Sequence, residues 1–358
     1  MRKPALLIVS ALILASCGGK VDMYRGDESN SGVFSDGVGT LHNLKWKFTT
    51  QREIKTSAVI SNGTAYFGNA EGVVYAVTNE TGRERWRFKT GGPIGGAPAI
   101  SEGIIYIGSQ DGSFYAINDK TGQQVWKFSS SGSITTSPVM RDGIIYFGNV
   151  AGDLFAVEAA SGRERWRFNC GSAIYSSPAL KDDLVIFGSE NGKLFAVDTA
   201  AGGERWRFSS GGKIHADPTL HNDMVLIGSQ DATFYAVDTK TGQQMWRYRT
   251  EGAINSTAVV YSNTAYFGAT DGHLYALNLD TRRPRWKFRV GEWISGGIII
   301  GDGLAYFGAY DKKLHAVDTN SGKEKWAFTT QGAIITSPTI ADSTVFIGST
   351  DGAFYAIQ

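Results

Sequence analysis

The feature that most constrains this chain is a set of eight tryptophans that follow one another at intervals of forty residues, with no insertion or deletion between them. The segments between them repeat one pattern, and the two clearest copies are 109–128 and 229–248. A fixed period of this length is the signature of a solenoid, an array or a propeller. We call these residues the comb tryptophans: Trp46, Trp86, Trp126, Trp166, Trp206, Trp246, Trp286 and Trp326.

Each repeat contains four short apolar stretches of strand length, separated by glycine and aspartate residues. In the third repeat these stretches are 133–140, 143–149, 153–158 and 163–168. The best copies carry Asp-Gly between the second and third stretches, as at Asp111-Gly112, and this dipeptide supplies the positive φ angles that a tight hairpin needs. Four antiparallel strands in every repeat describe the blade of a β-propeller, so the predicted fold class is all-β.

The comb tryptophans are interpreted as structural docking residues. In the segment Arg85-Trp86-Arg87-Phe88, the strand period of two sends the arginines to one face and the aromatic rings to the other. Gross burial of one tryptophan contributes on the order of 4–6 kcal/mol before conformational entropy is subtracted. We therefore expect the aromatic rings to pack against the neighbouring blade while the arginines face water.

The two ends of the repeat predict how the ring closes. The first repeat begins at its fourth strand, Leu44 to Phe48, and the last repeat stops after its third strand, Ala353 to Gln358. Pairing the N-terminal strand with the three C-terminal strands completes one blade and removes the open edge of the ring. The sequence therefore predicts one domain over 43–358, an eight-bladed β-propeller closed by its two ends.

Residues 1–17 are typical of a lipoprotein signal peptide. A positively charged start is followed by an apolar run that is too short to span a membrane. The run ends in Leu-Ala-Ser-Cys, which resembles the bacterial lipobox, so Cys17 is the candidate for lipid attachment through palmitate. By resemblance to the enterobacterial sorting rule, Gly18 favours the outer membrane. The alternative is an ordinary secretory signal in which Cys17 is incidental.

Residues 18–42 are rich in glycine, serine and aspartate, and they predict a polar tether between the anchor and the ring. Within this range, the stretch from Met23 to Phe34 is a candidate for packing on the propeller. The free part of the tether would then be shorter than the full range 18–42.

Charge and cysteine content exclude several partners and chemistries. The chain has 35 Lys and Arg against 34 Asp and Glu, a net charge of +1, which gives no argument for binding nucleic acid. Cys170 is the one cysteine besides Cys17, and no spacing typical of metal ligands occurs. We predict no metal, no cofactor and no catalytic residue.

The segment 236–246, which reads AVDTKTGQQMW, matches the motif AxDxxTGxxxW of the PQQ-like propeller repeats. The repeats that end at Trp126 and Trp326 match closely, whereas Ala201 and Arg282 replace motif residues in two others. The chain therefore resembles this family, many of whose members bind no quinone. The resemblance covers 44–358.

Within that family, the lipobox, the single eight-bladed ring and the absence of an appended domain are similar to the BamB lipoproteins. This resemblance implies a non-enzymatic scaffold that mediates protein–protein interactions at the periplasmic face of the outer membrane. Its implied partners are envelope proteins, the β-barrel assembly machinery among them.

The alternative function is that of a quinoprotein-type enzyme, with a small ligand or cofactor in the central channel. Resemblance to the dehydrogenases would imply a vicinal disulfide and a calcium site built from Glu, Asn and Asp. The sequence contains no Cys-Cys pair, and the chain is much shorter than those enzymes. The non-enzymatic interpretation is therefore preferred.

One position varies from repeat to repeat, directly after a recurring isoleucine of the first strand. Because the first strand is expected to line the central channel, these residues would form a ring around one mouth of it. The ring is either a recognition surface or a polar channel wall, and the sequence leaves both open. Its members are Lys55, Gly95, Thr135, Tyr175, His215, Asn255, Ser295 and Ile335.

Two further features make candidate contacts for a partner or ligand. Asp217 lies two residues after His215 on the same strand face, a pairing known from acid–base sites, although a polar channel wall is the favoured interpretation. Trp293 is the single tryptophan outside the comb, in a seventh repeat that carries Lys312-Lys313 at its hairpin. A tryptophan outside the repeat pattern is a candidate contact because Trp, Tyr and Arg are enriched at binding hot spots. The alternative is that Trp293 fills a gap left by a missing proline. The candidate contacts are Lys55, Tyr175, His215, Asp217, Asn255 and Trp293.

Overall fold

Eight four-stranded antiparallel sheets close into a ring in the computed structural model, which describes residues 21–40 and 43–358. The predicted all-β, eight-bladed propeller is confirmed. The signal peptide and Cys17 lie outside the described residues. No helix long and apolar enough to cross a membrane occurs within the described ranges.

The strands are numbered in chain order and grouped by blade, from the inner strand at the channel to the outer strand at the rim. The first four blades are β4 Val59–Ser61, β5 Thr64–Gly68, β6 Val73–Thr78 and β7 Glu84–Lys89; β8 Ala99–Ser101, β9 Ile104–Gly108, β10 Ser113–Asn118 and β11 Gln124–Ser129; β12 Val139–Arg141, β13 Ile144–Gly148, β14 Asp153–Glu158 and β15 Glu164–Asn169; β16 Ala179–Lys181, β17 Leu184–Gly188, β18 Lys193–Asp198 and β19 Glu204–Ser209.

The other four blades include the one that both chain ends share. They are β20 Thr219–His221, β21 Met224–Ser229, β22 Thr233–Asp238 and β23 Gln244–Arg249; β24 Val259–Tyr261, β25 Thr264–Gly268, β26 His273–Asn278 and β27 Pro284–Arg289; β28 Ile299–Gly301, β29 Leu304–Gly308, β30 Lys313–Asp318 and β31 Glu324–Thr329; β32 Thr339–Ala341, β33 Thr344–Gly348, β34 Ala353–Ile357 and β3 Leu44–Thr49. Two short strands, β1 Val21–Asp22 and β2 Val33–Phe34, precede the ring.

Closure of the ring follows the predicted scheme. Strand β3 pairs antiparallel with β34, so that Trp46 lies opposite Ala356 in the eighth blade. Asn43 and Gln358 exchange two backbone hydrogen bonds, of 2.9 and 3.1 Å. The two ends of the chain are therefore held together at the point where an open propeller would expose a sheet edge.

The innermost strand is shorter than the sequence suggests. The stretch 133–140 was expected to be one strand, but only Val139–Arg141 pairs in β12. Ahead of it, the Ile134 N–H donates to the carbonyl of Ser109 in the preceding blade, at 3.0 Å, instead of entering the ladder. Pro138 lacks an N–H to donate, which favours the same outcome. The channel is consequently lined by irregular segments that lead into three-residue strands.

Six of the comb tryptophans lie over a glycine turn of the next blade. The indole N–H of Trp86 donates to the carbonyl of Asp119 at 2.7 Å, and its ring covers Gly122, where an added Cβ would lie 2.8 Å from Cδ2. Between blades, phenylalanines stack face to face, as Phe114 does with Phe147 at a centroid distance of 4.0 Å. The same indole-to-carbonyl bond joins Trp46 to Asn79, Trp126 to Ala159, Trp166 to Thr199, Trp206 to Thr239 and Trp286 to Thr319.

Trp326 has no equivalent docking turn in the eighth blade, because β34 and β3 of that blade are far apart in the chain and no turn joins them. The carbonyl of Val38 takes that place and accepts the indole N–H at 2.8 Å. The backbone N–H of Val38 in turn donates to the hydroxyl of Tyr306 at 2.8 Å. The segment before the ring thus supplies the docking turn that the last blade does not contain.

Residues 21–40 pack along one face of the ring. The stretch from Met23 to Phe34 does so as the sequence suggests, and the packing extends on both sides of it into the range predicted as a polar tether, 18–42. β1 pairs with β8 of the second blade, and β2 pairs in parallel with β28 of the seventh. Further backbone hydrogen bonds run from Leu180 to Glu28 and from Leu220 to Ser29, at 2.8 and 3.1 Å. These bonds satisfy backbone groups on the inner strands of four blades, a contribution that local composition does not reveal.

Candidate functional site

The eight variable positions that follow the recurring isoleucine all line one cavity of about 170 Å³ on the ring axis. The isoleucine explains this placement. Ile134 is fully buried, and its Cγ2 lies 2.2 Å from where a Cβ of Gly108 would be, so its side chain fills the space between two blades. The residue after it then faces the channel, as Thr135 does. We call this end of the channel the mouth, and the face of hairpins and loops around it the mouth face.

Below the mouth, a belt of hydrogen bonds ties neighbouring blades together. The backbone N–H of one blade donates to a serine Oγ of the next blade, forty residues ahead in three links and, where the ring closes, from the eighth blade to the first. Each such hydroxyl keeps its own proton available, which gives the cavity a hydrogen-bonding wall. The links run from Ala97 to Ser137, Ser137 to Ser177, Gly297 to Ser337 and Ser337 to Ser57, at 2.8–3.0 Å.

Asp217 occupies a serine position in this belt. Its Oδ1 accepts the N–H of Ser177 at 2.6 Å, and its Oδ2 accepts the hydroxyl of Thr257 at 2.9 Å. Burial raises the pKa of the Asp217 carboxyl above its usual range, although these hydrogen bonds and the charge of Arg25 oppose the shift. Because both oxygens are engaged within the belt, Asp217 is a structural residue of the channel wall in this geometry.

The end of the channel opposite the mouth is covered by Tyr24 and Arg25 of the N-terminal segment. The Tyr24 hydroxyl lies 2.9 Å from Ser337 Oγ, and burial raises the pKa of Tyr24 to about 12. Arg25 is 4% exposed and donates from Nη2 to the carbonyl of Ala258 at 2.6 Å. A Cβ at Gly297 would lie 2.4 Å from Arg25 Nη1, so the glycine makes room for the guanidinium. Sequence reasoning missed both residues as parts of the channel.

One sector of the mouth holds a connected polar cluster around His215. Its Nε2 lies 3.4 Å from a Glu190 carboxylate oxygen, and its Nδ1 lies 3.1 Å from the Gln230 amide nitrogen. That amide also donates to Asn255 Oδ1 at 3.1 Å, and the Tyr175 ring meets the imidazole edge-on at 5.1 Å. A neutral imidazole with its proton on Nε2 satisfies both of its contacts.

The structure therefore brings Tyr175, His215 and Asn255 together and sends His215 and Asp217 to different partners. Glu190 and Gln230 were missed by sequence reasoning. A signal for them exists, because the residue before the hairpin aspartate also changes from blade to blade. That series is Ala70, Gln110, Val150, Glu190, Gln230, Thr270, Tyr310 and Thr350.

Lys55 and Trp293 lie at other points of the mouth face. Lys55 lines the cavity and pairs with Glu53 at 2.6 Å, with about half of its side chain exposed. Trp293 is outside the cavity, 53% exposed, with its ring edge-on to Tyr310 at 5.7 Å. Among the described residues, the exposed aromatic side chains are Tyr175, Trp293 and Tyr310, and all three lie on the mouth face.

Within residues 21–40 and 43–358, no group of three or more His, Cys, Asp and Glu side chains is placed to hold a metal ion. Cys170 is partly buried, and burial raises the pKa of its thiol. Its Sγ contacts the carbonyl of Ser172 at 3.0 Å, at a turn position where other blades use a serine or threonine hydroxyl.

A family profile described as outer membrane protein assembly factor BamB matches residues 42–177, 151–292 and 270–358, which together span the whole ring. The chain belongs to the BamB family. No curated protein matches the sequence significantly.

Solved structures of the same fold come from proteins with different roles. BamB from Moraxella catarrhalis is 17% identical, covers 88% of this chain and 99% of its own, and has a TM-score of 0.77. Quinohemoprotein alcohol dehydrogenase from Comamonas testosteroni is 13% identical, covers 94% and 80%, and has a TM-score of 0.83. The computationally designed Ika8 protein is 19% identical, covers 86% and 97%, and has a TM-score of 0.78. At these identities the structural likeness establishes the fold alone.

Proposed function

We propose that the chain is a non-enzymatic, lipid-anchored scaffold that binds other envelope proteins during outer-membrane β-barrel assembly. Membership of the BamB family supports this role. The observation that carries it is the concentration of exposed aromatic residues, Tyr175, Trp293 and Tyr310, on the mouth face. Exposed tyrosine and tryptophan are the residue types that dominate protein–protein hot spots.

The mouth face is also the face that the N-terminal segment leaves free. Residues 21–40 cover the opposite face, where Val21 pairs with Ser101. With the lipid on Cys17, the four-residue step to Val21 spans at most about 14 Å. An anchor of that length directs the covered face towards the membrane and the mouth face towards periplasmic partners.

Five of the six candidate contacts are accessible at this face and are the proposed partner contacts. They surround the mouth, whereas Asp217 lies below it with both carboxylate oxygens bonded to neighbouring blades. The polar cluster at His215 would provide directional hydrogen bonds, and Tyr175 would provide apolar area. The five are Lys55, Tyr175, His215, Asn255 and Trp293.

The test is recovery of β-barrel assembly subunits from solubilised envelopes on the immobilised chain, quantified by immunoblot. Tyr175→Ala should reduce recovery several-fold because a 40% exposed aromatic contact is removed from the docking face. Met245→Ala is the matched control, since Met245 is 47% exposed on an outer strand, away from the mouth. Failure of the unaltered chain to recover any assembly subunit, or equal losses in both variants, would refute the proposal.

A further inference from the structure

The seventh blade carries a small surface that differs from the corresponding surface of every other blade. Trp293 lies in the loop before β28, and Tyr310 and Lys312 lie in the hairpin between β29 and β30, with Lys313 opening β30. In the other blades the tryptophan position holds Glu53, Pro93, Ser133, Ala173, Lys213, Ala253 and Ala333. We call Trp293, Tyr310, Lys312 and Lys313 the blade-seven patch.

The patch is exposed, and a backbone hydrogen bond joins its two segments. The backbone N–H of Tyr310 donates to the Trp293 carbonyl at 3.0 Å, which locks the loop to the hairpin. The two rings meet edge-on, with 53% of Trp293 and 41% of Tyr310 exposed. Rigid aromatic area of this kind loses little conformational entropy when a partner covers it.

Lys312 occupies a backbone position that disfavours it. Its φ is +69°, in the left-handed region, where the same hairpin position holds glycine in six of the other seven blades and alanine in the fifth. A side chain with a Cβ adopts this conformation at an energetic cost. A strained residue on an otherwise regular repeat points to a role that the fold itself does not require.

The two ammonium groups form no ion pair among the described residues. The carboxylate nearest in sequence, Asp311, is already engaged: Oδ1 accepts the Lys313 backbone N–H at 3.0 Å and Oδ2 contacts His315 Nε2 at 3.1 Å. Glu292, exposed beside Trp293, is the other acidic residue of the loop. The hairpin tip therefore presents unpaired positive charge next to an exposed aromatic pair.

We infer that the blade-seven patch binds an acidic segment of a partner protein that inserts an apolar side chain against Trp293 and Tyr310. This rests on the proposed scaffold role and adds the chemistry of the partner. An anionic membrane surface would need a broader basic cluster, of about four to eight cations, than two lysines beside Glu292 provide. An acidic protein segment matches two lysines beside an exposed aromatic pair.

The experiment measures binding of fluorescently labelled peptides to the full chain by anisotropy, at low and high salt. The probes are a short Asp- and Glu-rich peptide with one central phenylalanine, the same peptide with alanine at that place, and a Lys-rich peptide. The acidic phenylalanine peptide should bind tightest, and added salt should weaken it. Vesicles with and without anionic lipid test the membrane alternative.

Three variants separate binding from folding. Trp293→Ala and the double change Lys312→Glu with Lys313→Glu should each weaken the acidic peptide about tenfold, while Lys193→Glu, at the same strand position of the fourth blade, should leave it unchanged. Lys312→Gly should weaken the peptide and raise the melting temperature, because glycine relieves the strained φ. A purely structural role for Lys312 cannot produce that combination.

Equal binding of acidic and Lys-rich peptides, unchanged binding in Trp293→Ala, or binding to anionic vesicles in place of the peptide would each overturn the inference. The two proposals fail separately. A chain that binds the acidic peptide but recovers no assembly subunit refutes the scaffold role, whereas a chain that recovers subunits without binding the peptide refutes the patch.

Discussion

The docking of Trp86 over a turn glycine gives a quantitative test of how the blades hold together. Gly122 has φ +69°, and an added Cβ would lie 2.8 Å from Trp86 Cδ2. Gly143 has φ +73° and no atom within 4 Å of the added Cβ. The two glycines therefore share a left-handed φ that would strain an alanine equally, and they differ in whether a tryptophan lies above them.

Gly143→Ala should lower the free energy of unfolding by about 1–2 kcal/mol, the cost of a left-handed residue with a Cβ. Gly122→Ala carries that cost and also displaces the Trp86 ring, and overpacking of this kind costs about 1–3 kcal/mol. The displaced indole also loses alignment with the Asp119 carbonyl, now at 2.7 Å, a bond that contributes about 0.5–1.5 kcal/mol. The difference between the variants is therefore expected to be about 2–4 kcal/mol.

The measurement is urea unfolding of both variants and the unaltered chain, followed by far-ultraviolet circular dichroism and tryptophan fluorescence. Trp86→Ala, alone and combined with Gly122→Ala, completes a double-mutant cycle. In the Trp86→Ala background, the part of the Gly122→Ala destabilisation that comes from the clash with the indole should disappear, because no ring remains above the added Cβ. Equal destabilisation by Gly122→Ala and Gly143→Ala, or an unchanged penalty in the double variant, would show that the comb tryptophans do not bear on these turns.

Two further predictions concern closure and acid stability. Deletion of residues 43–50 should lower the melting temperature of the whole ring, because β3 pairs with β34 along its length. A melting curve like that of the full chain would contradict closure by the two ends. Burial raises the pKa of Asp111, but hydrogen bonds from the Tyr115 hydroxyl and two backbone N–H groups outweigh it and hold that pKa below its usual value of about 3.9. Its stabilisation is therefore present above that value and lost as the pH falls through the lowered pKa. Asp111→Asn should lower the melting temperature at neutral pH, and the gap to the unaltered chain should narrow in acid, whereas a constant gap would contradict the assignment.

The fold was predictable because its information is local and repeated. The spacing of the comb tryptophans, the Asp-Gly turns and the alternation in Arg85-Trp86-Arg87-Phe88 recur often enough to define a blade and to count eight of them. The closing pair β3 and β34 followed from the incomplete repeats at each end. The variable positions after the recurring isoleucine also line one cavity, as their shared place in the repeat predicted, although they precede the inner strands.

The contents of the channel were not predictable, because they depend on residues far apart in the chain. Arg25 reaches Ala258, and His215 contacts Glu190 and Gln230 on separate hairpins. A repeat pattern does not indicate which side chains from distant parts of the sequence come into contact. The sequence placed His215 and Asp217 on one strand face, but the belt of hydrogen bonds draws Asp217 away into the wall.

By itself, the sequence determined the architecture of this protein, since each repeat contains the turn chemistry, the alternation and the docking ring that one blade needs. Tertiary structure decided which face is free and which is covered. The inner strand edges of four blades and the indole N–H of Trp326 need backbone partners, and residues 21–40 supply them on one face alone. That asymmetry turns a regular ring into one with a covered end and an open mouth, and of the comb tryptophans Trp326 contributes to it through its bond to Val38.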